Sequence, residues 1–165
     1  QYSEEELQAS DDKNFLIGLI QSSIFLITAV IFMRWTYLAV LNSRGFGASA
    51  MKYTPKWAAF HYIIPIINLY KPYKVMMEVW KVSMNPSDWQ KQGGTLLISF
   101  WWYSWLLWGL LERVGLQVFI KSESATALRD SAYISILTGA IGILSALFAI
   151  LVINTIYHNQ KRLVA

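Results

Sequence analysis

The sequence predicts an all-α integral membrane protein. It would have three transmembrane helices, a Pro-broken re-entrant (or short fourth) helical hairpin, and an interfacial amphipathic helix. Two observations carry this reading first. Uncharged runs over 14–33, 92–111 and 131–157 are long enough, at about 1.5 Å per helical residue, to cross a hydrocarbon core of about 30 Å. A fourth uncharged run, 57–70, covers only about 21 Å as a helix, carries Pro65 near its middle, and is bracketed by Pro55 and Pro72. Runs of that length more often re-enter or lie in the interface than span. The third observation is the placement of Lys and Arg. If 57–70 spans, Arg34, Arg44, Lys52, Lys56, Arg113, Lys121 and Arg129 share one side and Lys13, Lys71, Lys74, Lys81, Lys91, Lys161 and Arg162 the other, which is no bias. If it re-enters, only Lys13, Arg113, Lys121 and Arg129 are left opposite the rest, and a positive-inside bias appears, with the N-terminus outside and the C-terminus cytoplasmic.

Composition agrees. The hydrophobic fraction is 55% and the charged fraction 15%, against roughly 25% charged in an average soluble domain. A single membrane domain over 1–165 is expected, since no stretch outside the apolar runs reaches the ~50 residues a second domain needs. The chain has no cysteine, which excludes disulfides, thiolate metal sites and cysteine nucleophiles.

The elements follow in order. Residues 1–13 carry five acids and one Lys, the reverse of a basic leader, so the first span, about 14–41, reads as a retained helix. The hairpin, 55–70, holds His61, Tyr62 and Asn68 near backbone groups that Pro65 leaves without a helical partner. These side chains either satisfy that backbone or line a small polar pocket.

Residues 71–84 form the amphipathic helix, with Tyr73, Met76, Met77, Trp80 and Met84 on one face and Lys74, Glu78 and Lys81 opposite. It either lies in the interface plane or packs on the bundle, and Asn85–Pro86 ends it. The third run extends to a span of about 94–120 and is dense in tryptophan. Trp101, Trp105 and Trp108 recur on one face, placed to meet a ligand, a neighbouring subunit, or small residues of the last span. That last span, about 131–158, carries Ser131, Ser135, Gly139, Gly142, Ala146 and Ala149 at three- and four-residue steps, a stripe that admits close helix approach.

Catalytic and metal-binding signatures are lacking. The histidines are His61 and His158, and no HExxH, internal carboxylate pair, phosphate loop or nucleophile motif appears. No cofactor or metal is expected. The basic residues flank apolar runs and form no stripe with interleaved aromatics, so nucleic acid is not an expected partner, whereas anionic lipid headgroups are.

Several motifs together resemble a bacterial membrane family called domain of unknown function 4328: Phe32-Met-Arg-Trp35, Asn42, Tyr53-Thr-Pro-Lys-Trp-Ala58, Ile64-Pro-Ile-Ile-Asn-Leu-Tyr-Lys-Pro72, Met77-Glu78-Val-Trp80 and Trp101-Trp102. The likeness covers about 32–108 and runs more loosely to Gln160. The chain departs in having one span before the hairpin, where members often have more, and Tyr70 where Trp is usual. The resemblance implies a bacterial integral membrane protein, in the cytoplasmic (inner) membrane, and brings no activity, substrate or catalytic residue with it.

From the residues, the expected function is that of a non-enzymatic accessory or scaffold subunit in a larger membrane protein complex, whose partners are other integral membrane subunits and membrane lipids. The alternative is a lipid, quinone or small-solute binding protein or transport component, with a pocket at the Pro65 break lined by His61, Tyr62, Asn68, Trp101, Trp105 and Trp108.

Overall fold

The computed structural model describes residues 4–120 and 125–164, and the regular secondary structure among them is wholly helical. Five α-helices follow one another: α1 (Glu4–Gly45), α2 (Pro55–Phe60), α3 (Lys71–Met84), α4 (Leu96–Ile120) and α5 (Ala125–Arg162). Short 3₁₀ turns lie at Ile67–Leu69 and Trp89–Lys91. Two stretches of 34 residues, Asp12–Gly45 in α1 and Arg129–Arg162 in α5, are long and apolar enough to cross a membrane. Helix α4 has the length, about 37 Å for 25 residues, but the charged pair Glu112 and Arg113 lies within any eighteen residues of it, and four Trp and one Tyr dilute its apolar character further with polar ring edges. It does not join the other two by that standard.

Local chemistry sets the boundaries. Helix α1 stops at Gly45, two residues ahead of Gly47, which takes φ +84°, the left-handed conformation that only glycine adopts without strain, and the Phe46 N–H closes back on the Asn42 carbonyl at 2.9 Å. Thr54 caps α2 by accepting from the Trp57 N–H, with Pro55 in the first turn. Helix α3 stops at Asn85, extended ahead of Pro86, and the Asn85 side chain accepts from the Ser87 N–H.

Helices α4 and α5 form a long antiparallel pair. Phe100 stacks on Phe148 with centroids 5.8 Å apart; further along, a Cβ on Gly142 would stand 3.1 Å from Trp108, and one on Gly115 would stand 3.2 Å from Ile134. From Ser131 to Val152 the buried positions of α5 recur every seventh residue, at Ser131, Thr138, Ser145 and Val152, before Ile156 and Gln160 follow at steps of four where the helix enters the core. That is the seam of two helices wound together.

The expected small-residue stripe is a different line. Gly142 does lie under Trp108 and Ser131 is buried, but Ser135, Gly139 and Ala146 are exposed, and a Cβ on Gly139 would have no neighbour within 4 Å. The stripe keeps a period near 3.6, so it drifts off a seam of period 3.5. The intramolecular contact therefore belongs to the heptad positions and not to the whole stripe.

The main core sits at one end of the molecule. There the C-terminal part of α1 (Ala39, Val40), helix α3 (Val75, Met76, Val79, Val82), the start of α4 (Ile98, Trp101, Trp102) and the end of α5 (Val152, Ile156) meet around Ala58 and Trp89. Helix α3 is more enclosed than an interfacial helix. Its buried face is centred on Val75, Val79 and Val82, while Met84 is exposed. Glu78, expected on the polar face, is buried, because the chain between α1 and α2 folds over that side of the helix. The other half of α1 stands clear. None of the most apolar eighteen-residue window of its span is buried. The Phe25 ring does reach Trp108, with centroids 6.2 Å apart.

Candidate functional site

The most elaborate polar construction lies where segment 55–70 leaves and rejoins the bundle. Glu78 is 5% exposed, and its carboxylate accepts from two successive backbone N–H groups, Lys52 at 2.8 Å and Tyr53 at 3.4 Å. From the other side Arg44 donates to the carbonyls of Met51 (3.2 Å) and Tyr53 (3.0 Å), and the Trp89 indole donates to the Ser49 carbonyl at 2.9 Å. The loop between α1 and α2 is thus held through its backbone by side chains of α1, α3 and the 89–91 turn. Burial pushes the Glu78 carboxyl above its ordinary range, against the opposing pull of the two N–H donors and the charges of Arg44 and Lys52.

The same construction joins the two ends of the hairpin. The Lys71 ammonium stands 5.4 Å from the centre of the Tyr53 ring, so the chain returns to the place it left. In between, α2 runs to Phe60, the chain turns through 61–66, and Asn68 N–H bonds the Ile64 carbonyl at 2.9 Å. At the tip the Ile67 N–H bonds the Pro65 carbonyl at 2.7 Å across Ile66, which has φ +67° and ψ −49°. This is a γ-turn of the rare, strained hand, held on a β-branched residue.

The six residues expected to line one pocket do not meet in one place. His61, buried, faces Tyr53 edge-on at 5.6 Å and Trp57 at 6.2 Å, and its Nδ1 has no hydrogen-bond partner. Tyr62 and Trp101 both pack on Phe32 of α1, at 5.5 and 5.7 Å, and the buried Tyr62 hydroxyl faces Thr36 with no partner within hydrogen-bond distance. Trp105 stacks on Trp102 at 4.9 Å, whereas Trp108 lies further along α4, against Gly142 and Phe25. Asn68 is half-buried on the returning limb. An open concavity beside the break, about 430 Å³, is lined by Lys56, Trp57, Phe60 and Ile64 and by none of the six.

Several residues position the site through bonds that the sequence does not announce. Trp102 donates its indole N–H to the Leu69 carbonyl at 3.1 Å, fastening the returning limb to α4. Gln160 of α5 donates to the Ala39 carbonyl (3.0 Å) and to the Ser43 hydroxyl (3.2 Å), and accepts from Asn42 at 3.4 Å. Asn159 reaches Ser83 and Met84 of α3. Their acceptors are backbone carbonyls, serine hydroxyls, one amide and one thioether, groups too common along the chain to mark a site. Among the described residues, no three His, Cys, Asp or Glu side chains are grouped to hold a metal ion.

The family described as Domain of unknown function (DUF4328) matches residues 1–158, and the chain belongs to it. No curated protein and no solved structure matches the chain.

Proposed function

We propose that this member of the family is a non-enzymatic accessory or scaffold subunit of a larger membrane protein complex, with other integral membrane subunits and lipids as its partners. The observation that carries this reading is the free half of α1, an apolar helical arm with side chains such as Leu16, Leu26 and Ile31 exposed while its other half is packed against α2, α3 and α5. An arm of that kind is a surface for lipid or for a neighbouring helix. Mild-detergent purification tests the reading, and a stoichiometric co-migrating protein is the expected result.

The membrane arrangement in this proposal has α1, α4 and α5 crossing and 55–70 re-entering, in the cytoplasmic membrane, with the N-terminus outside and the C-terminus inside. The meeting of Tyr53 and Lys71 supports it, since the ends of a crossing segment would be about 30 Å apart. Single cysteines at Ser49 and Ser87 should then react with an impermeant thiol reagent from the same side, and one at Ser124 from the opposite side. Opposite labelling at 49 and 87 would sink the re-entrant hairpin.

The unpartnered His61 Nδ1 and Tyr62 hydroxyl favour a second reading, a lipid, quinone or small-solute binding or transport component. Its mark is a small molecule retained without a protein partner and lost in His61→Phe while the fold persists.

A further inference from the structure

Beside the Glu78 construction, on the side of α3 turned away from α1 and α5, lies a second open concavity of about 580 Å³. Its walls are Tyr53, Tyr73, Met77 and Trp89, and three lysines, Lys52, Lys74 and Lys81, border it. Glu78 also lines it, but both its oxygens are already engaged by the Lys52 and Tyr53 N–H groups. Ion pairs among the described residues are Lys91–Asp88 and Arg129–Asp130, so none of the three ammonium groups has a carboxylate of a described residue within ion-pair distance. Lys74 stands 5.5 Å from the Tyr70 ring centre, a contact that leaves its charge uncompensated.

Three ammonium groups against the one carboxylate of Glu78 leave the concavity with an excess of positive charge that a further anion would offset, and aromatic and thioether walls suit the less polar part of that anion. The concavity also sits where α1 and α5 finish their apolar runs, which in a bilayer is the level of the headgroups. We infer that this concavity binds the phosphate of an anionic phospholipid headgroup, the three ammonium groups meeting the phosphodiester and the Tyr and Trp walls the glycerol. A phosphodiester brings acceptor oxygens and no donor, which matches a rim of donors. The inference rests on the membrane part of the reading above and is independent of any protein partner.

Native mass spectrometry of the detergent-purified chain, titrated with phosphatidylglycerol or phosphatidylcholine, tests it. The triple variant K52Q/K74Q/K81Q should lose phosphatidylglycerol affinity by at least ~10-fold and keep its phosphatidylcholine binding. The backbone N–H groups that Glu78 accepts from are retained in it, and an unchanged melting temperature shows that the fold is intact. A triple of equal charge change elsewhere, K13Q/R113Q/R129Q, should stay within about 3-fold of wild type, since those residues lie off the concavity. Equal losses in the two triples, or none in the first, would overturn the site. Sodium phosphate that binds wild type but not the first triple, and displaces the lipid at millimolar concentration, would overturn the lipid source and make free phosphate the ligand. Protein that stays in solution without detergent would instead remove the membrane reading on which the inference rests.

Discussion

The two halves of α1 are continuous and both rich in apolar residues, yet they live in different structures. From Thr36 to Arg44 the helix buries Thr36, Ala39, Val40 and Ser43 and is bonded by Gln160, while Arg44 holds the following loop. From Phe15 to Ile31 the large apolar side chains are exposed. Apolar character is common to both, so it does not decide which half is held. Small residues are also common to both, with Gly18, Ser22, Ser23 and Ala29 in the exposed half, so the difference lies in polar groups that find a partner on another helix. In a bilayer this is the expected division, since lipid is as apolar as leucine and packing and hydrogen bonds must supply the attraction between helices.

The sharpest way to break the comparison is to remove the central acceptor of the held end. Glu78→Ala orphans the Lys52 and Tyr53 N–H groups, each at the desolvation cost of a buried donor, and should destabilise by about 2–5 kcal/mol in thermal unfolding. Leu26→Ala on the free arm should stay within about 0.5 kcal/mol. Equal effects would erase the distinction between the two ends. Titration sharpens the same test. Because burial raises the Glu78 pKa, the folded chain holds that proton more tightly than the unfolded chain does. Its contribution to stability is full below the unfolded value, near 4.5, and falls away as pH rises through the folded value. Relative to Glu78→Gln, which does not titrate, wild type should therefore gain in melting temperature between pH 7 and pH 5.

A smaller effect separates contact within the chain from contact with a neighbour. Gly142→Leu drives a side chain into Trp108 and should cost about 1–3 kcal/mol in the isolated chain. Gly139→Leu meets open space there and should be nearly neutral. If Gly139→Leu instead weakens only the assembled complex, the outer part of the stripe belongs to a partner.

The contrast also marks what could be read from the residues. Three prolines delimit the hairpin, and α3 runs over 71–84 as its periodicity and the Asn85–Pro86 stop require. The Trp108–Gly142 contact was legible as large against small. The role of Glu78 was not, because its partners are backbone N–H groups 25 and 26 residues away, and every residue but proline offers one. Trp102 was hidden for another reason. A helical wheel assigns one face, while α4 is covered on two sides, so Trp101 and Trp102 are buried together although they point about 100° apart.

The smallest predicted effect concerns the hairpin tip, which belongs to neither half of the comparison. Ile66 is 76% exposed, so Ile66→Gly removes little packing and relieves a backbone strain of roughly 1–3 kcal/mol. Glycine returns part of that as chain entropy, leaving a net gain of about 0.5 kcal/mol in thermal unfolding. A loss of stability would mean that the side chain, and not the turn, is what the tip needs.

The Gln160–Ala39 bond joins residues 121 apart in the chain. At translation speeds of about 5–20 residues per second, roughly 6–24 s separate the synthesis of the two partners. Through that interval Ser43 keeps its bond to the Ala39 carbonyl within α1, but the face that will receive α5 has nothing to receive. The best-bonded end of the molecule is thus the last to be completed, and its first helix has longest to wait with that face open to other partners.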